Sequence, residues 1–127
     1  MSELYLLDSD FLIEHLRGMA AARAFFGQLD GDLCVSVISV AELYSGVRSP
    51  GHQAALEKLL QLVTVISIDA PIAIQAGLLR AKYRSTHGTS TPDALIAATA
   101  ERLRATLVSF NQRHFPMVTK LIVPYTR

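Results

Sequence analysis

Leu4-Tyr5-Leu6-Leu7-Asp8-Ser9-Asp10-Phe11-Leu12-Ile13 decides the fold of this chain. A short, continuous apolar run ends at an acid, and Phe11, Leu12, His15 and Leu16 then recur at helical spacing up to Gly18. Such a run fits a strand buried on both faces in a parallel sheet, feeding directly into a helix. The phrase then repeats along the chain. A second helix over Ala20 to Leu29 stops at Asp30-Gly31, Leu33 to Val37 reads as a strand, and Ser39 to Val47 as a helix closed by Ser49-Pro50-Gly51. Gln53 to Leu62 predicts a helix, Val63 to Ile68 a β-branched strand, and Asp69-Ala70-Pro71 the start of a helix reaching about Tyr83. Ser85 to Ser90 reads as a polar loop, Thr91 to Arg102 as a helix, Thr106 to Phe110 as a strand and Leu121 to Val123 as a short edge strand. Alternation of this kind predicts an α/β sandwich around a mainly parallel sheet.

The 127 residues fit one domain with a single core. Half of them are hydrophobic and 18% charged, which excludes disorder and leaves apolar surface for a protein partner. The net charge of +1 conceals a split: residues 1–63 carry four Lys/Arg against eight Asp/Glu, and residues 64–127 carry eight against three. An acidic pocket beside a basic, phosphate-attracting surface has this signature, as do two ordinary solvated faces. Cys34 is the lone cysteine, set in LCVSV like a core residue, so no internal disulfide is expected. Asp69, Pro71 and Gln75 interrupt the most apolar stretch and no signal-like start is seen, so a soluble, cytoplasmic protein without a membrane segment is expected.

Three acids stand in apolar settings: Asp8 in LYLLDSDFLI, Glu42 in VISVAELYSGV and Asp93 in STPDALIAATA. Each has a structural explanation. Asp8 or Ser9 can cap a helix, Ser39-Val40-Ala41-Glu42 matches a capping box, and Asp93 follows Thr91 as cap and Pro92 at the first helical position. Together, three helix starts that each carry a carboxylate point to one end of a sheet, where ligands of open α/β sheets bind. A hard divalent ion relieves the mutual repulsion of such a cluster; Mg²⁺ suits it, and Mn²⁺ fits the same oxygen ligands. His15, His52, His87 and His114 share no metal-ligand spacing, which argues against zinc.

These segments resemble, over essentially the whole chain, the PIN-domain ribonucleases of the VapC toxin type. LYLLDSDFLIEHL is similar to the family's opening strand and Asp-Thr-Ser/Asn turn, VISVAELYSGV to its Glu-Leu-x-x-Gly helix, TPDALIAATA to its Asp-Ala-x-Ile-Ala-Ala helix, and LVSFNQRHFP to its closing strand and Asn/Asp-x-x-x-Phe segment. The resemblance implies a PIN-like three-layer sandwich over residues 1–127 and a Mg²⁺-dependent endoribonuclease. It also implies a homodimer and inhibition by a cognate VapB-like antitoxin. Asp8, Glu42 and Asp93 match the family's metal-binding acids, and Asn111 its fourth site position. An Asn111 amide carbonyl can hold a water or ligate without adding charge, or simply end the strand. Ser9 matches the small hydroxyl of the opening turn. Asp10 departs from the pattern and either supplies a further carboxylate or favours the first helical turn. Arg113 and His114 are placed to touch RNA phosphate or to face solvent.

The expected chemistry is in-line attack by a metal-activated water, leaving 5'-phosphate and 3'-hydroxyl ends. Two other readings compete. Asp8-Ser9-Asp10 after a strand also resembles the nucleophile turn of haloacid-dehalogenase-like phosphatases, which would leave Glu42 and Asp93 idle. A catalytically inactive PIN-like RNA-binding or protein-interaction module fits the missing charge at Asn111. For an antitoxin, Leu12, Leu16, Phe25, Phe26 and Leu29 offer an apolar groove or else fill the core.

Overall fold

The computed structural model describes residues 3–127. Five strands, β1 (Leu4–Leu7), β2 (Asp32–Ser36), β3 (Thr64–Ile66), β4 (Thr106–Val108) and β5 (Leu121–Ile122), form one sheet in the order β3-β2-β1-β4-β5. Every neighbouring pair is parallel. The helices are α1 (Ser9–Leu16), α2 (Ala20–Gln28), α3 (Val37–Ser45), α4 (Pro50–Leu60), α5 (Ala70–His87) and α6 (Thr91–Leu103), with a 3-10 turn at Gln112–His114.

The apolar strand runs are explained by what each face buries. Leu7, Val35 and Val108 point into one core with Phe11, Leu12, Leu43 and Leu56, while Leu6, Cys34 and Leu107 point into the other with Ile96, Ala97 and Phe115. Successive side chains of a strand alternate in direction, so covering both faces requires an unbroken apolar run. The small residues of α6 let α5 pack close, with Ile72 and Ala76 against Ala94 and Ala98. Cys34 is buried, and burial pushes its thiol up to about 11, far from a reactive thiolate.

Several boundaries differ from the sequence reading, each for a local reason. β2 ends at Ser36, whose hydroxyl accepts the Ile38 N–H and caps α3 at once. The capping box at Ser39 and Glu42 is therefore absent: Ser39 is buried inside the helix and its Oγ has no partner. Ser49-Pro50 opens α4 instead of merely closing α3, with Ser49 Oγ accepting the His52 N–H and Pro50 in the first turn, where its missing donor costs nothing. α5 continues through Ser85–His87, where the polar composition predicts a loop, until Gly88 takes a left-handed conformation at φ 65°. Ser90, not Thr91, caps α6. β3 and β4 are each three residues, shorter than the Val63 to Ile68 and Thr106 to Phe110 runs, because they pair only where a neighbouring strand runs alongside. At Gly31 a Cβ would run into the Glu3 carbonyl group, so this turn admits no side chain.

The order of the strands fixes where a site can form. From β1 the chain steps outward to β2 and β3, then returns across to β4 and β5 on the other side of β1. The carboxyl ends of β1 and β4 thus flank the point where the winding reverses, which is where open parallel sheets bind ligands.

Candidate active site

Asp8 follows β1 and Ser109 follows β4, side by side at that reversal, since Leu7 pairs with Val108 and the Asp8 N–H donates to the Val108 carbonyl at 2.9 Å. Ser109 Oγ donates to Asp8 Oδ2 at 2.7 Å and lies 3.3 Å from Asp10 Oδ2, while the Asn111 N–H donates back to it at 3.0 Å. On the other side, the Ser9 N–H donates to Asp8 Oδ1 at 2.8 Å and the Ser9 hydroxyl donates to Glu42 Oε1 at 3.1 Å. Two serines therefore tie three carboxylates, those of Asp8, Asp10 and Glu42, into one network spanning β1, α1, α3 and the loop after β4.

Asp10 stands in the first turn of α1, as one of its two sequence alternatives has it, and takes on a further role there. Its Oδ1 accepts the Phe11 N–H at 2.6 Å, and its Oδ2 accepts the Phe110 N–H at 3.0 Å. The carboxylate thus pins the loop after β4 to the first turn of α1. From outside, Arg127 lies over the Phe110 ring at 4.2 Å and pairs with Glu14 at 3.1 Å, and Tyr125 meets Phe110 edge-on.

Asp93 belongs to a separate network. It forms a capping box with Ser90, its Oδ2 accepting the Ser90 N–H at 3.2 Å and its own N–H donating to Ser90 Oγ at 3.1 Å. The same Oδ2 lies 3.4 Å from His114 Nδ1. No hydrogen bond joins Asp93 to Asp8 or Glu42, and among the described residues no three His, Cys, Asp or Glu side chains converge closely enough to hold an ion as they stand. Asn111 and Arg113 are exposed at the start of the 3-10 turn, and Glu42 is exposed on α3.

Electrostatics single out Asp8. It is 4% exposed, and burial, then the negative charge of Asp10, raise its carboxyl from 3.8 to about 7 against the lowering effect of the Ser109 and Ser9 bonds; Glu42 adds to the rise. Asp10 is also raised, by burial, though the Phe110 and Phe11 N–H groups and the charge of Arg127 hold it back. A buried acid pressed by like charges gains from any cation brought to it. In donor chemistry the set fits a hard divalent ion: all oxygens, with one oxygen each of Glu42 and Asp93 free of protein hydrogen bonds among the described residues.

Sequence reasoning missed Ser109 and Arg127. Ser109 carried a faint signal, a hydroxyl ending an apolar strand beside Asn111, but its meaning depends on β4 lying next to β1. Arg127 carried none. Of the apolar face proposed on the first two helices, Leu12 is fully buried in the core, while Leu16, Phe25, Phe26 and Leu29 pack against that cluster half-buried, and Leu16 also lines a cleft.

A parallel sheet with its carboxylates at the winding reversal defines the class, and comparison with known proteins agrees. The PIN domain model matches residues 5–121, and the chain belongs to the PIN-domain family. It is similar to Ribonuclease VapC10 of Mycobacterium tuberculosis, 39% identical over 125 residues that span 96% of this chain and 93% of that protein. Ribonuclease VapC19 of the same organism is 38% identical over 124 residues, 94% of this chain and 98% of its own length. Among solved structures, a toxin-antitoxin complex from Klebsiella pneumoniae superposes with a TM-score of 0.83 at 25% identity, covering 95% of this chain and 98% of that one.

Proposed function

We propose that the chain is a metal-dependent endoribonuclease, the toxin of a toxin-antitoxin pair, cutting RNA at the carboxylates around Asp8. The observation that carries this reading is the buried, charge-crowded Asp8 at the winding reversal, its carboxyl raised to about 7 and bound to its neighbours through Ser9 and Ser109. Membership of the PIN-domain family and similarity to proteins named Ribonuclease VapC support the substrate class.

Asp8 and Glu42 would hold Mg²⁺ or Mn²⁺, with Asp93 contributing the oxygen that Ser90 and His114 leave free. When bound, such an ion lowers the pKa of water and offsets charge on phosphodiester oxygens. The remaining work falls to the chain. Ser9 and Ser109 orient Asp8, Asp10 fixes the loop that presents Asn111, and Arg113 on the exposed turn is placed to take a phosphate. Water attack in line with the P–O3' bond, with the 3'-oxygen leaving, gives products with 5'-phosphate and 3'-hydroxyl ends.

The similarity to a toxin-antitoxin complex supports an antitoxin partner. Ile74 and Leu78, one turn apart on α5 and each 65% exposed, support association of two copies through that face. No described helix is long and apolar enough to cross a membrane.

Induced expression of the chain in a bacterial host tests the reading. Growth arrest accompanied by RNA fragments with 5'-phosphate ends is expected, with relief by Asp93→Asn or by the antitoxin. Unimpaired growth with intact RNA, or arrest that Asp93→Asn leaves untouched, would favour the inactive module.

A further inference from the structure

A cleft of about 410 Å³ lies between α1, α3 and the start of α4. Ile13 and Leu16 line it with apolar surface, Arg17, Arg48 and His52 bring basic side chains, and Glu42 lines it too, joining it to the acidic network. Arg17 is the C-cap of α1 and Arg48 lies two residues past Gly46, the C-cap of α3, so helix dipoles favour a cation at both places without giving either one a partner. Arg17 and Arg48 are exposed and neither forms an ion pair among the described residues, although Glu42 shares their cleft. The acidic half of the chain, residues 1–63, has four Lys/Arg, so two of those four stand in this one cleft. Ile13 is 38% exposed there, while Phe11 and Leu12 of the same helix are fully buried.

We propose that this cleft holds the RNA strand beside the bond to be cut, with Arg17 and Arg48 on its phosphates and a base turned out onto Ile13 and Leu16. The inference rests on the nuclease reading above and supplies what that reading lacks. A polyanion brought to several carboxylates is repelled unless cations grip it nearby, and a guanidinium offers a phosphate two parallel donors. Single-stranded nucleic acid is commonly held by a positive groove that tracks the backbone together with surface on which bases rest. Glu42 makes the cleft continuous with the acids, so a strand lying in it leads to Asp8.

The test compares wild type, Arg17→Ala/Arg48→Ala and Arg17→Lys/Arg48→Lys. Binding of a fluorescein-labelled oligouridylate is followed by anisotropy in EDTA over a range of KCl concentrations, and cleavage of total bacterial RNA is followed with Mg²⁺. Each phosphate contact on a single strand contributes about 0.7 to the slope of log K against log salt. The alanine pair should therefore flatten the slope by about 1.4, and the lysine pair should restore it. Cleavage by the alanine pair should show KM raised about tenfold with kcat changed by less than about twofold, the mark of lost uniform binding. Wild-type slope and KM in the alanine pair, with wild type binding and cutting normally, would overturn the inference and leave the nuclease reading standing. Where the alanine pair is also co-expressed with the cognate antitoxin and purified, loss of co-purification with unchanged RNA binding would overturn it too and assign the cleft to the protein partner. A wild-type chain that neither binds nor cuts RNA would overturn both.

Discussion

Asp8 costs the fold stability where it stands, buried beside like charge. Its carboxyl is raised from 3.8 to about 7, so the folded state prefers the protonated form more strongly than the unfolded chain does. Stability without metal is therefore greatest below about pH 4 as far as this group is concerned, falls as pH climbs, and the loss is complete above about 7, amounting to a few kcal/mol on the order-of-magnitude scale of such shifts. Asp8→Asn, neutral at every pH, should melt several degrees higher than wild type at pH 8 in EDTA and should lose this part of the pH dependence. Mg²⁺ should raise the melting temperature of wild type and not of Asp8→Asn. Asp10 sits beside it with a different task. Asp10→Ala strands the Phe110 N–H and should cost about 1–3 kcal/mol in urea unfolding. Cleavage should fall as the loop carrying Asn111 loosens. An unchanged unfolding midpoint would show that the clamp is not what holds that loop. The acids themselves were legible in the sequence as carboxylates in apolar company. Their linkage through Ser9 and Ser109 was not, because the place of a hydroxyl in the sequence says nothing about a partner 33 or 101 residues away.

At the scale of the element, caps decided where reading succeeded. Strand β1 and helix α1 were legible because an apolar run ended at a residue able to cap, and Asp8 does so. Helices α3 and α4 were legible, but their starts lie two and three residues earlier than spacing predicts, because Ser36, Ser39 and Ser49 are all acceptable caps and only packing selects among them. Burial of Ser39 follows from the direction α3 takes out of β2, which no local pattern states. The α6 start matters most for the proposed activity, since Ser90 both caps the helix and holds Asp93. Ser90→Ala should destabilise the protein by about 0.5–2 kcal/mol. It should also impair cleavage beyond what that loss explains, because Asp93 is released from its box. Thermal unfolding beside single-turnover cleavage at a temperature where both proteins are folded checks this.

For the whole molecule, composition and the alternation of strands with helices predicted the α/β class, and the runs buried on both faces predicted a parallel sheet. The strand order β3-β2-β1-β4-β5 was beyond reach of spacing alone, and it is what sets Asp8 beside Ser109 and gives the acids a common end of the sheet. Asp93 was expected to meet Asp8 and Glu42, and the structure holds it on its own helix cap beside His114. Joining the three around an ion is the step the proposed activity requires. The most direct test measures cleavage of purified total RNA by the purified chain across a Mg²⁺ titration, with wild type beside Asp8→Asn and an EDTA control. The account predicts cutting by wild type that rises with Mg²⁺ to saturation, vanishes in EDTA and is absent from Asp8→Asn at every concentration. Cutting that persists in EDTA, or that Asp8→Asn retains, would contradict it.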